Sequence, residues 1–137
     1  MNANVLTRLL PALVLLFMAK TGIAGPEQIR QSLEAEARTL NGFSGFSIER
    51  GQQFFRAKHG ADWSCSSCHT DDPLAQGRHA KTGKDIAPLA PAANAERFVK
   101  PDKVDKWFRR NCNDVLGRPC TAQEKGDVLT YLMSLAK

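Results

Sequence analysis

The chain has 137 residues and a formal charge of +5 from 19 basic and 14 acidic side chains. That length accommodates one domain and not two. The charge falls to +3 once a leader carrying Arg8 and Lys20 is set aside, which is too weak a basic balance to indicate a nucleic-acid partner.

The leader is read from Met1 to Ala24. Arg8 is its one early base, and an apolar run from Leu9 to Ala19 is interrupted only by Pro11. Thr21-Gly22-Ile23-Ala24 then places small residues where a signal peptidase reads. The pattern predicts a secretory signal over residues 1–24, cleaved after Ala24, and one domain over residues 25–137. A retained anchor is the competing reading, but a span needs about 20 apolar residues and this run is shorter. Export predicts a periplasmic protein with no membrane span once the signal is removed.

Pro26 is placed to begin a first helix running to Leu40, with Ile29, Leu33, Ala37 and Leu40 on one apolar stripe. Asn41-Gly42-Phe43-Ser44-Gly45 breaks it. Ser47 caps a second helix to about Lys58, with Ile48, Gly51, Phe54 and Phe55 facing inward and His59-Gly60 ending it. From Thr70 to Phe98 there is no long periodic run and no strand pattern. A loop of that length in a small domain usually lines a ligand or has another task. Pro101-Asp102 starts a third helix, with Val104, Trp107 and Phe108 on one side and Asn111 at its end. Thr121 and Glu124 form a capping box for the last helix, whose apolar face is Val128, Leu129, Tyr131, Leu132 and Leu135. The predicted class is all-α.

Cys65-Ser66-Ser67-Cys68-His69 carries the chemistry. Cys-x-x-Cys-His in an exported chain points to covalent haem. Thioether bonds from Cys65 and Cys68 fix the porphyrin, and the adjoining His69 is held beneath the iron as proximal ligand. The alternatives are a thiol-disulfide redox pair, which expects a preceding strand, and half of a zinc site. Here a helix precedes the motif. The two remaining cysteines, Cys112 and Cys120, close the count as a disulfide in an oxidising compartment. Gly51-Gln52-Gln53-Phe54-Phe55 and Tyr131-Leu132 resemble class I cytochromes c, in which a glycine lets two terminal helices cross closely while aromatics seal the crossing. The expected unit is therefore a class I cytochrome c-like mono-haem domain.

The second axial ligand is the open question. Methionine is usual in such electron carriers, but Met133 is the only methionine after the leader and lies inside the last helix. His59 is too close to the tether. His79, in the long loop, and Asn111, in Arg109-Arg110-Asn111-Cys112-Asn113, remain. Lys81-Thr82-Gly83-Lys84-Asp85-Ile86-Ala87-Pro88-Leu89-Ala90-Pro91 resembles the sphaeroides haem protein family of oxygen-binding cytochromes c. So do Asp105-Lys106-Trp107, Arg110-Asn111-Cys112-Asn113, Gly117-Arg118 and Cys120-Thr121. The likeness covers about Glu49 to the C-terminus.

That resemblance implies that Asn111 ligates the oxidised iron, leaves on reduction, and opens a site for oxygen or another small diatomic. A neutral amide is a weak donor, better tolerated by ferric than by ferrous iron. The resemblance also implies the Cys112–Cys120 disulfide and a di-haem cytochrome c or membrane cytochrome b as redox partner. The Pro88 carbonyl is expected to accept the His69 N–H, following the class I pattern. The rival readings are a plain six-coordinate shuttle, using His79 or Met133, and a terminal reductase of oxygen or nitric oxide. No placed general acid argues for turnover.

Overall fold

The computed structural model describes residues 25–60 and 62–136. The expected leader, residues 1–24, lies outside the described residues. Among these residues, five helices and one two-stranded ladder follow in the order α1 (Pro26–Ala37), α2 (Ile48–Arg56), α3 (Ser66–His69), β1 (Gly77–Arg78), β2 (Asp85–Ile86), α4 (Pro101–Leu116) and α5 (Ala122–Ser134). Among the described residues no helix is long and apolar enough to cross a membrane.

The first helix starts at Pro26, where the missing N–H costs nothing and the ring fixes a helical φ. Ile29, Leu33 and Ala37 are buried, as their spacing requires. Leu40 is not, at 51% exposed. After Ala37 the chain tightens, with Thr39 N–H donating to Glu36 and Leu40 N–H to Ala37, and Gly42 turns away at a φ of 87°. The stripe therefore stops one turn before Leu40.

Helix α2 begins on Ser47, whose hydroxyl accepts the Arg50 N–H. Its buried residues are Gly51 and Phe55, whereas Ile48 is largely exposed, against its expected inward orientation. Helix α5 has the predicted capping box, Thr121 taking the Glu124 N–H and Glu124 returning to the Thr121 N–H. At the α2–α5 crossing the backbones are in contact through Gly51. A Cβ there would run into the Asp127 carbonyl and stand 2.9 Å from the Tyr131 Cβ. Phe55, Val128, Tyr131 and Leu132 form the buried cluster at this crossing. On the other side of α5, Ile29 and Leu33 of α1 and Val104 of α4 pack with Leu129.

A buried carboxylate pins the crossing. Asp127 accepts Arg50 Nε at 2.8 Å and Arg50 Nη2 at 2.9 Å, together with the Ser47 N–H at 2.7 Å and Gln123 Nε2 at 3.0 Å. A charge taken out of water is tolerated when every lone pair finds such a donor.

Two differences from the sequence expectation affect the site. The long loop does contain strand, a ladder pairing Gly77 with Ile86 and Arg78 with Asp85. With two residues per strand there is no alternation to read. The third helix does not end at Asn111. It continues to Leu116 and stops at Gly117, whose φ of 71° suits the left-handed cap.

Candidate functional site

The Cys-x-x-Cys-His segment is a short helix held from both sides. Cys65 caps α3, and the N–H groups of Cys68 and His69 both donate to the Cys65 carbonyl, at 3.3 and 3.1 Å. Before it, the buried Ser64 hydroxyl lies 2.9 Å from that of Ser66 and 3.1 Å from that of Ser67, and the Ser67 hydroxyl accepts the Ser64 N–H at 2.9 Å. After it, Thr70 takes φ 60° and ψ 167°. That region is nearly reserved for glycine and costs on the order of 1–3 kcal/mol for another residue. The Thr70 hydroxyl stabilises the turn by donating to the Asp72 carbonyl and accepting its N–H. Gly77 of β1 passes directly over the turn; a Cβ there would strike the Cys68 carbonyl and come 3.1 Å from the His69 Cα.

Cys65, Cys68 and His69 open onto a cavity of about 620 Å³, within the roughly 300–1,000 Å³ range of small-molecule and cofactor sites. Leu89 and Phe98 of the loop, Val104 and Phe108 of α4, and Val128 and Leu132 of α5 supply apolar surface. Burial first, and the Arg97 charge second, push the His69 imidazole down to about 4. It is therefore neutral at physiological pH, the form that ligates a metal. Burial pushes the Cys65 thiol up to about 11. A redox-active Cys-x-x-Cys needs the opposite shift. Cys112 and Cys120 are joined as a disulfide with a Cα–Cα distance of 5.6 Å, so they cannot complete a four-thiolate zinc site. Among the described residues no group of three or more His, Cys, Asp and Glu could hold a metal ion. Two thiols beside a neutral imidazole, under an apolar cavity of this size, fit a covalently tethered haem.

The remaining candidates separate clearly. Asn111 lines the same cavity as His69, from the body of α4, as does the Cys112–Cys120 bridge. Met133 does not; it packs against the cluster of Ile29, Leu33, Val104 and Leu129. His59 holds the Phe54 carbonyl at 2.7 Å and stacks on the Phe54 ring. His79 does line the cavity. Its Nδ1, however, accepts the backbone N–H groups of Lys81 and Thr82, both at 3.3 Å. With Nδ1 accepting these bonds, His79 would have to give them up to present Nε2 as a metal donor.

The expected bond from His69 to Pro88 is not formed. The Pro88 carbonyl instead accepts Arg97 Nε at 2.9 Å and Asn94 Nδ2 at 3.3 Å. Sequence reasoning missed Arg97. The available signal was its isolation, as the only base between Ile86 and Val99.

A glycine-mediated crossing of α2 and α5, with aromatics at its edge and a Cys-x-x-Cys-His turn beneath a large apolar cavity, defines a class I-like c-type cytochrome. Residues 41–132 match the family described as "Domain of unknown function (DUF1924)". The chain is 39% identical over 118 residues to the cytochrome c-type protein SHP of Cereibacter sphaeroides, covering 83% of this chain and 87% of that protein. It is 42% identical over 95 residues to cytochrome c'' of Methylophilus methylotrophus, an alignment spanning 66% of each chain. The crystal structure of oxidised cytochrome c'' superposes with a TM-score of 0.75 at 37% identity, covering 82% of this chain and 95% of that one. The structure of oxidised SHP, an oxygen-binding cytochrome c, does so at 0.73 and 39%, covering 83% and 100%. The chain belongs to the SHP family of c-type cytochromes. Membership implies haem c and its iron as cofactor.

Proposed function

We propose that this protein is an exported, periplasmic mono-haem cytochrome that carries electrons and, when reduced, binds oxygen or another small diatomic at a position vacated by Asn111. The haem would supply a redox-active iron and a site for the incoming ligand. Cys65 and Cys68 would tether it, and His69, held neutral by burial, would serve as the protein donor to the iron.

The observation that carries the reading is that Asn111 shares the cavity with His69 while Met133 lies in a separate cluster. The Nδ1 bonds of His79 weigh against it as the second ligand. An amide oxygen is a weak ligand for ferrous iron and a tolerable one for ferric. Because Asn111 lies within α4, its release would need only a side-chain rotation, with the helix backbone left in place. SHP is described as oxygen-binding, and work on cytochrome c'' concerns haem-ligand detachment; both agree with this reading. A di-haem cytochrome c or a membrane cytochrome b is the proposed electron donor.

The test is optical spectroscopy of the purified, haem-loaded protein. Asn111→Ala should retain covalent haem and change the ferric spectrum, whereas His79→Ala and Met133→Leu should leave it nearly unchanged. Reduced wild-type protein should take up carbon monoxide rapidly. A reduced protein with a six-coordinate low-spin spectrum that ignores carbon monoxide would establish the plain shuttle instead.

A further inference from the structure

We propose that Arg97 is a positioning residue for the haem: it clamps the carbonyls of Pro88 and of Ala87, which lines the cavity, and presents a cation to a carboxylate side chain of the haem. The inference rests on the cavity being the haem site.

Arg97 lines the cavity together with His69. Its Nε donates to the Pro88 carbonyl at 2.9 Å and its Nη2 to the Ala87 carbonyl at 2.6 Å. Both acceptors are neutral, and no carboxylate among the described residues lies within ion-pair distance of its guanidinium. The other bases of the lining, Lys100, Lys103 and Arg110, are exposed, while Arg97 is partly buried. Burial lowers its pKa, so the charge is held at a desolvation cost that no protein anion offsets. A cation in that condition is stabilised by an anion brought into the same cavity. Haem carries two carboxylates, and a guanidinium presents its donors as a fork matched to that group.

The backbone supports the assignment. Phe98, the next residue, sits at a φ of 57°, a left-handed conformation unfavourable for a bulky side chain. Its ring is fixed against Phe108 and the buried clusters on both sides of α5. The aromatic anchor thus holds the turn that aims Arg97 inward. The Pro88 carbonyl, engaged by Arg97 and Asn94, is also withdrawn as a partner for His69.

The experiment measures the reduction potential of haem-loaded wild type, Arg97→Lys and Arg97→Gln at one pH and ionic strength. Removing a cation from the haem cavity, and leaving a haem carboxylate uncompensated, favours the oxidised form. The potential of Arg97→Gln should therefore fall clearly below wild type, while Arg97→Lys stays close to it. A role confined to bridging the two carbonyls predicts lower stability in both variants with unchanged potentials; that outcome overturns the proposal. Should Arg97→Gln not accumulate, redox-difference infrared spectra of wild-type protein with nitrogen-15 arginine take its place. An isotope-sensitive guanidinium band changing together with carboxylate bands upholds the pairing, and the absence of any such band refutes it. Absence of haem in wild-type protein would fault the haem site itself and not Arg97.

Discussion

Replacing both Cys112 and Cys120 by alanine should lower stability by an amount set by the closed loop. The bridge joins residues eight apart in sequence. For a ring of that size the chain-entropy relation gives about 2.6 kcal/mol at 25 °C. Alanine is the suitable replacement because Cys112 is buried at 5% exposure, and a serine hydroxyl there would need a partner. With a urea slope of about 1–3 kcal/mol per molar for small proteins, the midpoint should drop by roughly 0.9–2.6 M. Urea unfolding of the ferric wild type and the ferric double variant, followed by circular dichroism without reductant, supplies the comparison. Because Asn111 belongs to a helix that runs on to Leu116, the ferric spectrum should survive loss of the bridge. A midpoint within about 0.2 M of wild type would refute the loop-closure account. A double variant with the spectrum of Asn111→Ala would show that the bridge, and not the helix, positions the asparagine.

Gly51→Ala tests the α2–α5 crossing. Helix propensity alone would favour alanine by about 1 kcal/mol, but the new methyl meets the Asp127 backbone, so a net loss of roughly 1–3 kcal/mol is expected in thermal or urea unfolding; a stabilised variant would mean that the helices are not in contact there. Asp127→Ala should cost on the order of 2–4 kcal/mol, since it strips the Ser47 N–H, Gln123 and the Arg50 fork of their shared acceptor. A loss below about 1 kcal/mol would mean water replaces the carboxylate at little cost.

The features legible in the sequence were those with a local signature. Ser47 and the Thr121–Glu124 pair announced two helix starts because capping depends on residues three apart. Cys65, Cys68 and His69 were readable because tether and ligand are adjacent. Three of the features that were not legible show the physical reasons. Asparagine often ends a helix, so Asn111 reads as the end of α4, whereas Gly117 supplies the left-handed residue and the helix needs no earlier stop. Leu40 fits the apolar stripe of α1, but the tight turn after Ala37 removes it from the packed face. Arg97 could not be found from spacing, because its partners are carbonyl groups of Ala87 and Pro88, which carry no side-chain signal.

The packing of α5 between α1 and α2 determines when this chain can become a domain. Ile29 of α1 finds its buried neighbour in Leu129, 100 positions later, and Phe55 of α2 finds Tyr131 and Leu132. No stretch beginning at the N-terminus can bury either apolar face until the last helix is present. Contacts of such long sequence separation slow folding, because loop entropy is lost before the contacts form. They also make the fold intolerant of truncation at its far end: a chain ending at Gly117 would keep the Cys-x-x-Cys-His segment and lose the partner of both helices at once.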